Sequence, residues 1–188
     1  LSHVCEQVHL PVQVGDDTLL KRMGRGYTLE QYREIVRKLR AAMPQIVITT
    51  DLMLGFPGET EAQYRNTLSF VEEIRFDQAF MFAYSPREPT PAAKLPDQIP
   101  QAEKVRRLDA LITLQNRIAV EINQAQAAEG RVFEVLVEGR SPKNPAKWQG
   151  LTRGGKTVHF CAHRDLTGQL APVRAVEGHL WGFVVELI

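Results

Sequence analysis

The chain has 188 residues, 44% of them hydrophobic and 24% charged, with 23 Lys plus Arg against 22 Asp plus Glu. This composition fits one or two modest globular domains and excludes a collagenous or disordered chain; the net charge of +1 supplies no bulk field for nucleic acid, so any such role needs a local patch. Only Cys5 and Cys161 are available as thiols, too few and too far apart for a disulfide framework or a self-contained zinc or iron–sulfur site, and both read as small buried hydrophobes.

Residues 4–12 are mostly apolar and predict a strand ending at the polar turn 13–17. A short amphipathic turn over 18–23 follows. Thr28 with Gln31 forms a capping-box signature, and Tyr32, Ile35, Val36, Leu39 and Met43 recur at helical spacing until Pro44. Residues 46–54 are β-branched and nearly continuously apolar, which predicts a strand buried on both faces of a parallel sheet. Thr60 with Gln63 repeats the capping box, Tyr64, Leu68, Val71 and Ile74 give a second helical stripe, and residues 78–84 read as a third strand. The alternation argues for right-handed crossovers and a parallel α/β sheet.

Five of the eleven prolines fall between 85 and 100, predicting an extended connector. One long helix is then expected over residues 101–128, carrying Val105, Leu108, Leu111, Ile112, Leu114, Ile118 and Ile122. From residue 131 the period changes to two, with Val132, Glu134, Leu136 and Glu138 at alternate strand positions. Further short strands near 148–153, 156–162, 168–175 and 179–187 predict a small all-β barrel. The domain boundary is placed near 124, giving domains 1–123 and 124–188.

Chemistry in a parallel sheet concentrates at the carboxyl ends of its strands. There the segment 55–60 (GFPGET) joins a strand to a capped helix, where helix-start amides and close backbone approach at Gly55 and Gly58 suit an anion or cofactor; the alternative is a plain turn. Gln13 ends the first strand. Asp51 is a carboxylate inside an apolar strand, which needs either a partner or a site to face. Arg22 and Arg25 can return to the same edge with a guanidinium fork, unless they lie on a solvated helix. His3, His9, His159 and His163 read as structural or surface groups. In the β part, Arg140, Lys143, Lys147, Arg153 and Lys156 surround Trp148 with no acid between 139 and 156, a pattern suited to RNA backbone contact and base stacking or to a solvated basic loop.

Read together, the strings HLPVQ (9–13), LKRM (20–23), RGYT (25–28), TD (50–51), GFPGET (55–60), FDQAFMF (76–82) and YSPR (84–87) resemble the radical S-adenosylmethionine methylthiotransferases, most closely their tRNA-modifying branch. The resemblance spans essentially the whole chain. It implies the second half of a radical SAM (β/α) barrel with parallel strands, followed by a small all-β TRAM barrel that binds tRNA. It also implies S-adenosyl-L-methionine as cofactor and two [4Fe–4S] clusters in a longer enzyme, whose cysteine sets this chain lacks. The implied reaction methylthiolates C2 of N6-isopentenyladenosine beside the anticodon, started by a 5′-deoxyadenosyl radical.

By the same resemblance, Gln13 and Asp51 contact the cofactor's ribose, Arg25 pairs with its carboxylate, and Leu54, Gly55 and Gly58 line its adenine. Arg140, Lys143, Lys147, Trp148, Arg153 and Lys156 would grip the anticodon stem-loop. Val14 and Asp16 depart from the serines usual in the family, and Glu88-Pro89 from its Pro-Gly. The ribosomal-protein methylthiotransferases are a sibling reading, disfavoured because Val14 rather than His follows the Pro-x-Gln. A stand-alone RNA-binding module is a further alternative. The expected whole is a cytoplasmic, monomeric enzyme with no membrane contact, of which this chain is a fragment that is inactive alone, binds no iron and is poorly soluble for want of a covered sheet edge.

Overall fold

The computed structural model describes residues 4–188, which divide into two compact units, one of residues 8–116 and one of residues 117–188 together with the described chain up to Gln7.

In the first unit, β1 (Gln7–His9), β2 (Val47–Leu54) and β3 (Gln78–Ala83) form a three-stranded sheet in the order β1-β2-β3. β2 and β3 run parallel with Asp51 opposite Phe80 and Met53 opposite Phe82. β1 is much shorter than the predicted 4–12. Pro11 has no N–H to give the ladder, and the Val12 N–H goes to the Thr50 hydroxyl at 3.0 Å. Pairing resumes only at Gln13, which bridges Leu52 in parallel.

Helices α1 (Asp17–Arg22), α2 (Leu29–Ala42) and α3 (Glu61–Ile74) follow their expected positions. Both capping boxes form: Thr28 and Gln31, and Thr60 and Gln63, exchange side-chain and backbone hydrogen bonds. Tyr32, Val36, Phe70 and Val71 on their apolar faces are buried, as are Ile48, Leu52 and Leu54 at alternate positions of β2.

The other sheet face differs from expectation. β2 is not buried on both sides: Asp51 and Met53 are only partly covered, and Phe80 and Phe82 of β3 are 49% and 51% exposed. A nearly continuous apolar run records that residues avoid water on average; which face has a covering layer is decided by the neighbours present.

The proline-rich connector also folds more than expected, making a 3₁₀ turn at Pro91–Lys94 to which Gln98 Nε2 bonds back through Ala92 O and Leu95 O, both at 3.0 Å. The long helix α4 spans Gln101–Ala128 as predicted. Its inward side is less apolar than the stripe suggested, for Val105 is 44% exposed while Lys104, Arg107 and Gln115 are buried with Leu111 and Ile118.

In the second unit, β4 (Val132–Arg140), β5 (Trp148–Thr152), β6 (Thr157–Phe160), β7 (Leu170–His179) and β8 (Gly182–Leu187) close into a barrel in the order β4-β5-β6-β8-β7. Val135, Val137, Trp148, Val158, Phe160, Val173, Phe183 and Val185 fill its core. Gly150 is required where β5 meets β4: a Cβ there would strike the Val135 side chain and lie 2.7 Å from Leu136 O. No helix among the described residues is long and apolar enough to cross a membrane.

Candidate functional site

The carboxyl edge of the sheet is built by backbone bonds that hold the segment after β1 onto β2. The Gln13 N–H donates to Asp51 O at 2.9 Å, and the Met53 N–H returns to Gln13 O at 2.7 Å. Gln13 adopts φ 70°, a left-handed conformation unusual for a non-glycine residue, at the turn where the chain leaves the sheet. Tyr32 Oη donates to Leu10 O at 2.6 Å and steadies that approach from α2. Asp51 projects onto the partly open face, where His9 Nε2 lies 3.4 Å from Asp51 Oδ1 and His9 Nδ1 lies 2.9 Å from Thr49 Oγ1. The His9 ring meets Phe80 edge-on at 5.8 Å. A carboxylate, an imidazole and an aromatic ring therefore share one accessible surface. His9, read from sequence as merely structural or superficial, is the side chain that lies within ion-pair distance of the Asp51 carboxylate. Arg25 is exposed just beyond α1.

Leu54 points the other way. Its side chain is wholly buried, so only its backbone can meet a ligand, and its carbonyl already accepts the Tyr84 N–H at 2.8 Å.

The 55–58 loop is not the open amide cradle that its glycines suggested. The Gly55 N–H donates to Glu59 Oε2 at 2.8 Å, the Gly58 N–H to Asp97 O at 2.8 Å, and the Gln63 N–H to Thr60 Oγ1 at 3.2 Å. Glycine is needed at both positions because the protein's own side chains press on them. A Cβ on Gly55 would lie 3.1 Å from Lys104 Cδ and closer still to Cγ, and one on Gly58 would enter the Arg22–Asp97 ion pair. Both have φ above +70°, where a side chain is strained in any case. Arg22 is thus committed to Asp97 and to Gly58 O.

Behind this loop lies a buried polar cluster that hydropathy could not reveal. Arg107 donates to Glu59 Oε2 at 2.7 Å and to Glu59 O at 3.1 Å, and its Nε donates to Glu103 at 2.7 Å. Lys104 Nζ donates to Tyr84 O at 2.9 Å. Burial raises the Glu59 pKa above the usual glutamate value, against the Arg107 and Gly55 bonds that lower it. Hydrogen bonds from Arg106 and Arg107 hold Glu103 at about 2. Glu59 Oε1 and the Tyr84 hydroxyl are buried without a hydrogen-bond partner. The only sequence signal was polar residues at 104, 107 and 115, at helical spacing beside the apolar stripe.

The basic set of the barrel separates into two groups. Trp148 is a core residue, 3% exposed, with Nε1 donating to Ala162 O at 3.3 Å, so it is no platform for a base. Arg153 pairs with Glu6 at 2.8 Å and Glu134 at 3.5 Å, and Lys156 Nζ donates to Asn123 Oδ1 at 2.6 Å. These positions serve the barrel's own structure. Arg140, whose guanidinium lies 4.0 Å over the Trp148 ring, and Lys143 and Lys147 are exposed to solvent. Cys5 and Cys161 are exposed free thiols rather than buried hydrophobes. Among the described residues no three His, Cys, Asp or Glu side chains come together to hold a metal ion.

Residues 2–71 match the model of the Radical SAM superfamily. The chain is 46% identical over 185 residues to the tRNA-2-methylthio-N(6)-dimethylallyladenosine synthase of Carboxydothermus hydrogenoformans, covering 97% of this chain and 42% of that protein. It is 47% identical over 186 residues to the enzyme of the same name from Geobacillus thermodenitrificans, covering 99% of this chain and 35% of that one. It is 46% identical over all 188 residues to that of Thermoanaerobacter sp. strain X514, 40% of whose length it spans. Among solved structures, coproporphyrinogen III oxidase (HemN) from Escherichia coli, a radical SAM enzyme, matches with a TM-score of 0.54 at 14% identity, over 79% of this chain and 41% of that one, a likeness of fold alone. The chain thus spans well under half the length of the curated relatives it matches, and over that span it is similar to tRNA-2-methylthio-N(6)-dimethylallyladenosine synthases, with its residues 2–71 matching the Radical SAM superfamily.

Proposed function

We propose that this chain is the part of a tRNA methylthiotransferase that holds adenosylmethionine at the carboxyl edge of its parallel sheet and grips tRNA with its β-barrel, acting in the cytoplasm on an N6-isopentenyladenosine beside the anticodon. The observation that carries the reading is identity of 46–47% over 97–100% of the chain to enzymes whose names state that product. The site residues fit a nucleoside cofactor. Asp51 offers carboxylate oxygens to sugar hydroxyls, Arg25 offers a fixed positive charge to a carboxylate, and the backbone at Gln13, Leu54, Gly55 and Gly58 borders the same edge. On this reading the three-stranded sheet belongs to a radical SAM (β/α) barrel, and its open face with Asp51, Phe80 and Phe82 lines the interior. The closed five-stranded barrel is a TRAM domain.

When bound, adenosylmethionine and the clusters supply the radical and sulfur chemistry. The residues of this chain do not fit a cluster, since its two cysteines are exposed and no ligand group assembles among the described residues. Their share is binding and orientation. His9 fixes the Asp51 carboxylate, and the Glu59–Arg107 pair fixes the loop next to it. Arg140, Lys143 and Lys147 supply charge for the RNA backbone.

The test is a chimera in which this chain replaces the matching segment of the Carboxydothermus relative. The cluster-loaded chimera is expected to form 2-methylthio-N6-isopentenyladenosine on tRNA, read by nucleoside mass spectrometry. D51N and R25A should raise KM for adenosylmethionine, and changing Arg140, Lys143 and Lys147 to Ala should raise KM for tRNA. A folded, cluster-loaded chimera that yields no methylthiolated adenosine while the parent enzyme does overturns the reading.

A further inference from the structure

β6 and β8 pair in parallel at His159 and Val184, and the barrel opens along this seam into a cleft of about 400 Å³. Its walls carry three kinds of group. Lys147 and His163 supply an ammonium and an imidazole, Glu186 offers a carboxylate, and Val184 and Leu187 give apolar surface that is 44% and 38% exposed. Cys161 lies in the same wall as an exposed thiol. Lys147 of this lining is exposed, as are Lys143 and Arg164 close to it and to Cys161 in sequence.

We infer that this cleft holds a single unstacked nucleotide of a bound RNA strand. Its volume lies at the lower end of the range for small-ligand sites, enough for one base with its sugar and not for a helix. An apolar wall suits a base face, a carboxylate accepts an exocyclic amino N–H, and the Lys147 ammonium meets the phosphate. Sequence-selective RNA binding works on splayed-out bases of this kind, and the buried Trp148 cannot provide that contact on the barrel. The inference rests on the proposed RNA role of the barrel and adds where on it a base is read.

The test uses the 188-residue chain and a fluorescein-labelled anticodon stem-loop RNA, with binding followed by anisotropy at low salt and the two cysteines followed by maleimide labelling and mass spectrometry. Saturating RNA is expected to slow labelling of Cys161 about tenfold and leave Cys5 unchanged, and Val184→Trp, which fills the cleft from an exposed position, to weaken RNA binding by about the same factor. Absence of RNA binding would remove the RNA reading of the barrel as a whole. RNA that binds while Cys161 reacts at its free rate, or that binds the Val184→Trp protein unchanged, overturns the cleft assignment alone. So does protection of Cys161 by adenosine monophosphate and not by the RNA.

Discussion

Removing the Arg107 guanidinium tests whether the 55–59 loop is held from behind by α4. Arg107 is 5% exposed and makes three close hydrogen bonds, to Glu59 Oε2, Glu59 O and Glu103, while the Glu59 side chain has no solvent access. Arg107→Met keeps the aliphatic stem and leaves a buried carboxylate whose remaining hydrogen-bond donor is the Gly55 N–H. Breaking one side of a buried pair costs about 3–5 kcal/mol. At about 4–5 °C per kcal/mol for a unit of this size, the melting transition should fall by about 12–25 °C.

The pH dependence gives a sharper check. The folded Glu59 pKa lies above its ordinary 4.5, with burial raising it and Arg107 opposing. The native state therefore binds the extra proton, and this group's contribution to stability declines as pH rises from 4.5 through the raised value. Without Arg107 the pKa climbs further and the decline deepens, so the deficit should be largest at pH 7–8 and shrink towards pH 5. Glu59→Gln, which keeps an acceptor for Gly55 without the charge, should recover part of the loss in the double variant. Urea melts of the 188-residue chain followed by circular dichroism at pH 5 and pH 8 measure all of this. A loss below about 1 kcal/mol, or one that does not change with pH, would show that the pair does not hold the loop.

Two further outcomes follow from local geometry. Thr60→Ala removes one half of the α3 capping box and should cost about 1 kcal/mol in the same melts, with the Gln63 amide gaining hydrogen exchange; an unaffected amide would contradict the cap. Gly15→Ala would place a methyl 2.6 Å from the Thr67 Cα and 2.7 Å from the Phe70 Cβ, so the loop and α3 must separate, at about 1–3 kcal/mol; a neutral substitution would refute that close approach.

Much of the first unit was legible because its signals are local. Thr28 with Gln31 and Thr60 with Gln63 act within one helical turn, and the 101–128 helix is bounded by Pro100 and Gly130, so these elements needed no knowledge of their neighbours. The strand alternation after residue 131 is local in the same sense. The candidate cofactor edge was legible only as a set of positions. Gln13 and Asp51 were chosen from strand ends and an odd carboxylate, and their mutual backbone bond and the His9 partner are contacts between segments about 40 residues apart.

What the sequence determined by itself was the order of elements, their caps and the family resemblance, because each is carried by residue types at short fixed spacings. Only the tertiary structure decided which side of each residue is used. It turned Leu54 and Trp148 inward, filled the space over Gly55 and Gly58 with Lys104 and the Arg22–Asp97 pair, and drew Lys104 and Arg107 beneath the loop. It also left Phe80, Phe82 and both thiols accessible. Burial and pairing belong to distant parts of the chain meeting in space, and a buried cation opposite a buried carboxylate has no one-dimensional signature.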